Sequence, residues 1–302
     1  MNNLLKPMKA VPLTPKVFVK HKGTLTKYMT QPKFRGVRCQ AVVGSKTTLF
    51  SSLHHVLPHL PHINEQLQCC FPAGIYDGEL FSFALNQQEI NSVALRKKNL
   101  HPDYEVVHYY IYDLVPWNDS QVFQTAYFRM QRLHEVFDFL SLSNFNMHPH
   151  IHLVHTDFAT DYFDFLQKTN NYLEQGYEGG VLRIGSEHYR PGKTTAMYKY
   201  KPSETDSYRV VGVSEAIALD GTPKGMVGSF RVVDKENNVF SVGAGRLTHH
   251  ERIKYWNQRS MFYSKPIYVL VAHEPYNSSR GVPSCAAVVG LIGSGEEKES
   301  LV

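Results

Sequence analysis

No stretch of this sequence approaches the roughly 18 consecutive apolar residues that a membrane helix requires. Its opening, MNNLLKPMKAVPLTPKVFVKHKG, has no apolar run long enough for a secretory leader. Cysteine is scarce: Cys39, Cys69, Cys70 and Cys285 are all there are, and none forms a spaced pair that could join a second pair or a histidine cluster around a metal. A disulfide scaffold and a structural zinc centre are thereby excluded, and reduced thiols with structural roles are expected. There is no internal repeat and no low-complexity tract. These absences predict a soluble protein of the cytoplasm that does not engage a membrane.

Histidine, by contrast, is plentiful, with 16 residues. Those at 54, 55, 59 and 62 lie in SSLHHVLPHLPHI, where prolines interrupt any regular face and the spacing suits no metal, so they read as surface or loop residues. The 302 residues are 42% hydrophobic and 20% charged, enough for two globular domains. A formal charge of +5 and a pI near 8.8 favour a polyanionic partner without specifying one.

Residues 37–43 (VRCQAVV), 75–83 (IYDGELFSF) and 105–115 (EVVHYYIYDLV) are rich in β-branched and aromatic residues between turn signals and predict strands. Three- and four-residue apolar spacing predicts helices over 124–140 and 160–175, the second stopped by Gly176. Strands and helices mix without βαβ alternation, so the first part reads as an α+β domain with largely antiparallel sheets. After Pro202 the pattern becomes short strands with one helix, THHERIKYWNQR, as a small OB-type β-barrel requires. The expected division is 1–202 and 203–302, with Asp206 and Arg209 near a hinge and a disordered tail over 293–302.

Four segments carry chemistry. Lys33 precedes a glycine turn in QPKFRGVR; among cations such as Arg35 and Arg38, or buried, its pKa would move from ~10.4 towards ~7–8, where the neutral amine is a nucleophile. A basic hairpin edge would look the same. Asp77-Gly78-Glu79 sets two carboxylates in an apolar strand, where a ribose hydroxyl or a magnesium ion is a natural partner and a plain turn is the alternative. Glu178-Gly179-Gly180 leads into another apolar strand. Lys199 and Lys201 alternate, point the same way, and repel unless an anion lies between them; an exposed basic edge strand is the alternative.

The order of Lys33 to Arg38, Asp77 to Glu79, Tyr112-Asp113, Glu178-Gly179 and Lys199 to Lys201 resembles the signature of the covalent nucleotidyltransferase superfamily. Within it, the chain looks most like the small ATP-dependent DNA ligases of bacteriophages and large viruses, from about residue 25 to about 290. Tyr189 to Lys193 resembles the approach to their last lysine motif, and Lys224 to Phe230 with Phe240 to Gly245 their paired OB strands. The resemblance implies an adenylation domain followed by an OB domain, ATP and magnesium as cofactors, a monomer, and nicked duplex DNA as partner. It implies Lys33 as the nucleophile that becomes a lysyl-AMP, Arg38 and Glu79 on the ribose, Tyr112 on the adenine, and Glu178 with Glu79 on the metal. Lys199 and Lys201 would contact the α-phosphate; Arg183 and Lys193 would face DNA or phosphates.

Three departures accompany the resemblance. Arg35 stands where the family usually has aspartate, where it would either help to depress the Lys33 pKa or meet a phosphate. Ser51-Ser52 replaces a Ser-Arg pair whose arginine reads the nick phosphate, so that contact must come from a histidine, from backbone amides, or be weak. The last OB motif keeps little beyond Pro283, with Arg280 to cover for it. An RNA ligase, a GTP-using capping enzyme and a non-catalytic nucleic-acid-binding relative are the competing readings.

Overall fold

The computed structural model describes residues 5–20, 28–116, 124–142, 149–277 and 282–292. The chain divides into two units, Met1–Lys201 and Pro202–Val302. In the first, the elements run β1 (Met8–Pro12), α1 (Lys16–Lys20), β2 (Tyr28–Lys33), β3 (Val37–Val43), β4 (Thr48–Ser51), α2 (Pro61–Cys70), β5 (Gly74–Phe81), α3 (Gln87–Ala94), β6 (His108–Val115), α4 (Ala126–Leu142), β7 (Ile151–Leu153), β8 (Asp157–Ala159), α5 (Tyr162–Glu174), β9 (Gly179–Ile184) and β10 (Gly192–Tyr200). They form two five-stranded sheets, β1-β10-β9-β2-β8 and β4-β3-β5-β6-β7. Pairing is antiparallel except for β1 with β10 and β6 with β7. This is the α+β architecture that the mixed pattern predicts.

Alternation explains the sheets locally. Along β6 the odd-numbered Tyr109, Ile111, Asp113 and Val115 are buried and the even-numbered residues only half so. Helices α2, α3 and α4 cover this sheet, and Leu60, Ile63, Leu67, Leu80, Ile90, Ile111, Leu133 and Leu140 are fully buried between them. Each such side chain contributes about 1.5–3 kcal/mol relative to exposure. Helix α5 packs Phe165 against Leu182 and Ile184 of β9. It ends where Gly176, at φ +88°, donates its N–H to Leu173 O at 2.9 Å.

Two local expectations are corrected. Strand β6 starts at His108, because Pro102-Asp103 opens a single helical turn over Tyr104–Val106, and Val106 N–H bonds back to Asp103 O at 3.2 Å. The prolines around the histidine segment do not keep it out of regular structure: Pro61 occupies the first turn of α2, where a missing N–H costs nothing. His62 is therefore a core residue, 7% exposed, with Nε2 donating to Val107 O at 2.9 Å.

The second unit comprises β11 (Glu204–Ile217), β12 (Pro223–Val233), β13 (Val239–Gly243), α6 (His249–Asn257), α7 (Met261–Ser264), β14 (Tyr268–Asn277) and β15 (Pro283–Ile292), with the strands closed as β11-β12-β13-β15-β14. Closure removes free sheet edges. The two segments expected to pair do so, Phe230 facing Val242. Val210, Phe230, Val232, Val242, Val269 and Val271 fill the barrel. Thr248 caps α6 and exchanges bonds with Glu251 in a capping box. Asp206 and Arg209 both lie on β11, where they line an open cavity of about 470 Å³ in this unit. Residues 293–302 and Arg280 lie outside the described residues. No helix among the described residues is long and apolar enough to cross a membrane.

Candidate active site

Strand β2 is buried through Pro32 and delivers Lys33, partly exposed, at its end. Its neighbour β9 begins opposite: Lys33 is the register partner of Gly179, and Glu178 N–H donates to Lys33 O at 2.8 Å. Gly179 has φ +152°, and a Cβ there would lie 2.2 Å from Tyr200 O, so only glycine lets β9 approach β10 this closely. That approach brings Glu178, 8% exposed, between two lysines. Its Oε2 accepts from Lys33 Nζ and its Oε1 pairs with Lys201 Nζ. Lys199, two residues before Lys201 on the same side of the strand, is held below the usual lysine pKa by burial and by the charges of Lys33 and Lys201.

The facing wall comes from the second sheet. Gly36 permits the turn into β3, since a Cβ would meet Leu80 O at 2.3 Å. On β3, Arg38 lies opposite Glu79 of β5 but forks onto Asp77, with Nε to Oδ1 at 2.8 Å and Nη2 to Oδ2 at 2.5 Å. Asp77 is wholly buried; burial raises its pKa against the pull of Arg38. Glu79 is left without that fork, and burial pushes its carboxyl up to about 7, opposed by Arg38 and Lys33. Glu79 is thus the carboxylate that lines the cavity, while Asp77 fixes Arg38.

Tyr112 is half-buried on β6, its hydroxyl donating to Gly78 O at 3.2 Å, and burial holds its phenol well above its usual pKa. The guanidinium carbons of Arg38 and Arg183 lie 5.1 and 5.2 Å from its ring centroid. Arg183 is 4% exposed, with Nη1 donating to Asp113 Oδ2 at 2.7 Å and Nε to Gln31 Oε1 at 2.8 Å. Asp113 also receives Arg129, at 2.8 and 3.0 Å. Burial would raise the Asp113 carboxyl, but these two guanidiniums hold it below the usual range.

Between the walls is a cavity of about 290 Å³, at the small end of ligand sites. Lys33, Arg38, Glu79, Tyr112, Arg183 and Lys199 line it, with Val181 and Met197 as apolar surface. The cavity can take a planar base against Tyr112, Val181 and Met197, sugar hydroxyls at Glu79, and phosphate at the lysines. Glu178 and Lys201 join through Lys33. Arg35 occupies the turn beyond it, half-buried, and Lys193 is exposed at the start of β10. Arg183 lines the cavity and is 4% exposed, its guanidinium held by Asp113 and Gln31.

Sequence reasoning overlooked Gln31, Lys9 and Ala10 as cavity residues, and Asp113 with Arg129 as the buried pair behind Arg183. Gln31 stands two residues before Lys33 on the same strand and hence on the same face, a signal that was available. Lys9 and Ala10 arrive on β1, ahead of the segment that carries the resemblance.

The family model of the ATP dependent DNA ligase domain matches residues 7–201, so the domain reaches back to include β1. No protein of curated function matches the chain. Solved structures of similar fold include one described as Pmar-Lig_Pre, with TM-score 0.77, 19% identity and coverage of 96% of this chain and 68% of that one. Another is a Lig E DNA ligase described as binding DNA with a minimal scaffold, with TM-score 0.73, 17% identity and coverage of 95% and 98%. A third is the ATP-dependent DNA ligase of bacteriophage T7 in complex with ATP, with TM-score 0.56, 15% identity and coverage of 97% and 100%. At such identities the likeness is one of fold. The match over residues 7–201, on the unit that holds Lys33 and its cavity, places this chain in the ATP-dependent DNA ligase domain family.

Proposed function

We propose that the chain is an ATP-dependent DNA ligase that seals nicks in duplex DNA through a lysyl-AMP on Lys33. The observation that carries the reading is the junction of Lys33, Glu178 and Lys201 beside a nucleoside-sized cavity lined by Glu79, Arg38 and Tyr112. Binding DNA alone requires no such lysine held against a buried carboxylate.

In the proposed first step, the Lys33 amine forms a P–N bond to the α-phosphorus of ATP, and the P–O bond to pyrophosphate breaks. The ammonium proton leaves to Glu178, the carboxylate already in contact with it. Lys199 and Lys201 offset the charge that develops on the phosphate oxygens. AMP then passes to the 5′-phosphate of a nick, and the 3′-hydroxyl displaces it. Splitting the reaction in this way replaces one difficult displacement with easier ones.

Glu178 and Glu79 fit magnesium by the chemistry of their donors: carboxylate oxygens beside a lysine-lined phosphate position suit a hard cation that binds mainly through phosphates and water. Such an ion would supply charge neutralisation on the phosphates.

The reading is tested with a 5′-labelled nicked duplex, magnesium and ATP, GTP or NAD offered separately. Sealing with ATP alone is the expected result. Sealing of a nicked RNA duplex only, or use of GTP only, would replace it with one of the competing activities.

A further inference from the structure

We propose that His62, His108, His150 and His152 form an acid-sensitive latch, which holds strand β7 on the edge of its sheet at neutral pH and releases it when the histidines become charged, loosening the cavity wall. The latch is independent of the proposed reaction; only the choice of ATP as a probe of the cavity rests on the ligase reading.

His62 comes from α2, His108 from β6, and His150 and His152 from β7 and the residue before it. The ring of His150 lies edge to face with those of His62 and His108, at a centroid distance of 4.9 Å in each case. His108 Nδ1 and His152 Nε2 are 2.8 Å apart, with ring planes 16° from parallel.

The hydrogen bonds fix how many protons the group can hold. Val107 O only accepts, so His62 Nε2 carries the hydrogen; its buried Nδ1 has no hydrogen-bond partner among the described residues. Gln66 Oε1 accepts the backbone N–H of His150 at 3.2 Å, which turns the Gln66 amide nitrogen to His150 Nδ1 at 2.8 Å. That imidazole nitrogen is therefore the acceptor. Between His108 and His152 one hydrogen serves both rings. A proton added to His62 or His150, or a second one on the pair, meets an unsatisfied position, a donor or a like charge.

The neighbouring charges do not offset this. Helix α2 presents Glu65 and the turn over Tyr104–Val106 presents Glu105, whose charges reach Tyr104 and His62, but both are exposed and screened by solvent. The phenols of Tyr104 and Tyr110 stand above their usual pKa, the first through its bond to Glu105 and the second through burial, and stay neutral. Burial, together with the charge of His150, holds His62 and His108 below the usual histidine pKa. The closed form thus keeps its full stability above ~6.5, the free histidine value, and loses it as pH falls through the depressed values.

Strand β7 is the part that yields. It has three residues and ends the sheet order beside β6, with Tyr109 N–H donating to His150 O and Val154 N–H to Ile111 O, both at 2.8 Å. His152 covers Tyr110 at a ring-centroid distance of 4.7 Å, and Tyr110 packs at 4.9 Å on Phe34, which lines the cavity next to Lys33. Release of β7 removes that support.

The test measures amide hydrogen exchange of the full chain at pH 7.5 and 5.5, corrected for the intrinsic pH dependence, for wild type and a His62→Gln/His150→Gln double variant. Glutamine keeps a donor for Val107 O and an acceptor for Gln66 but takes up no proton. Each imidazole that is neutral when latched and charged when free favours opening about tenfold at pH 5.5. Protection of Tyr109 and Val154 should therefore fall at least about tenfold more in wild type than in the variant. Should the variant not fold, imidazole NMR of wild type decides, with His62 and His150 expected to become charged only as protection is lost. Protection equal at the two pH values, a loss as large in the variant, or imidazoles that charge while protection persists would overturn the latch.

ATP binding to the Lys33→Met chain at the same pH values reads the cavity. On acidification this parent should lose at least about threefold more affinity than the chain that also carries both glutamines. Equal losses would overturn the coupling to the cavity. No binding at pH 7.5 would remove the ATP reading and leave exchange alone to decide the latch.

Discussion

Lys33 and Glu178 are joined twice, once through the backbone, where Glu178 N–H meets Lys33 O at 2.8 Å, and once through their side chains. The backbone bond sets the position and the ion pair sets the charge, so the two can be separated by mutation. Glu178→Gln keeps the backbone bond and Gly179 but removes the carboxylate. The thermal midpoint is expected to stay within a few degrees of wild type while the single-turnover rate of adduct formation falls at least about 100-fold, the usual scale for losing a group that acts on the developing charge. A variant that forms adduct at the wild-type rate would remove Glu178 from the chemistry.

Asp113 is the counter-charge of two interior arginines, Arg129 and Arg183. Asp113→Asn leaves both guanidiniums buried without it and should cost about 3–5 kcal/mol in urea unfolding at pH 7. Because the folded-state pKa of Asp113 lies below its usual value, the stabilisation is present above the unfolded carboxylate pKa and is lost as pH falls through the depressed value. The stability gap between wild type and variant should therefore close only in strongly acidic solution; a gap that closes near neutrality would contradict this.

Glu79 has the opposite sign. Its folded-state pKa is raised to about 7, so the fold favours the neutral acid and loses stability as pH rises from the ordinary carboxylate value through 7. A shift of that size corresponds to roughly 3 kcal/mol. Glu79→Gln should raise the thermal midpoint of the nucleotide-free protein at pH 8 and change it little at pH 4, while weakening ATP binding. Equal effects at the two pH values would show that the charge of Glu79 carries no such cost.

Tyr112 separates ring from hydroxyl. On a Lys33→Met background, which prevents adduct formation, Tyr112→Phe should bind ATP within about threefold of its parent, whereas Tyr112→Leu should lose about 1–3 kcal/mol, the scale of base–aromatic stacking. Titration calorimetry reads both. Equal losses would assign the contribution to the bond from the Tyr112 hydroxyl to Gly78 O.

Much of the site was legible because its residues sit at strand positions where alternation fixes the face. Lys199 with Lys201, and Asp77 with Glu79, could be put on common faces from spacing alone. Which carboxylate takes Arg38 was not legible, since the choice depends on the fork reaching Asp77 from a position in register with Glu79. The buried partner of Arg183 was not legible for a related reason: Asp113 is 70 residues away on the other sheet. Strand β1 was missed because the four residues between Pro7 and Pro12 carry little pattern, and their partner β10 lies about 180 residues along the chain. His62 shows a proline read as a breaker where it starts a helix.

The most direct test of the account is the intact mass of the purified protein after incubation with ATP and magnesium, for wild type and Lys33→Ala. The account predicts a mass increase of one AMP on wild type, mapped to Lys33 and absent from the variant. No adduct on wild type, or an adduct that survives Lys33→Ala, would contradict it.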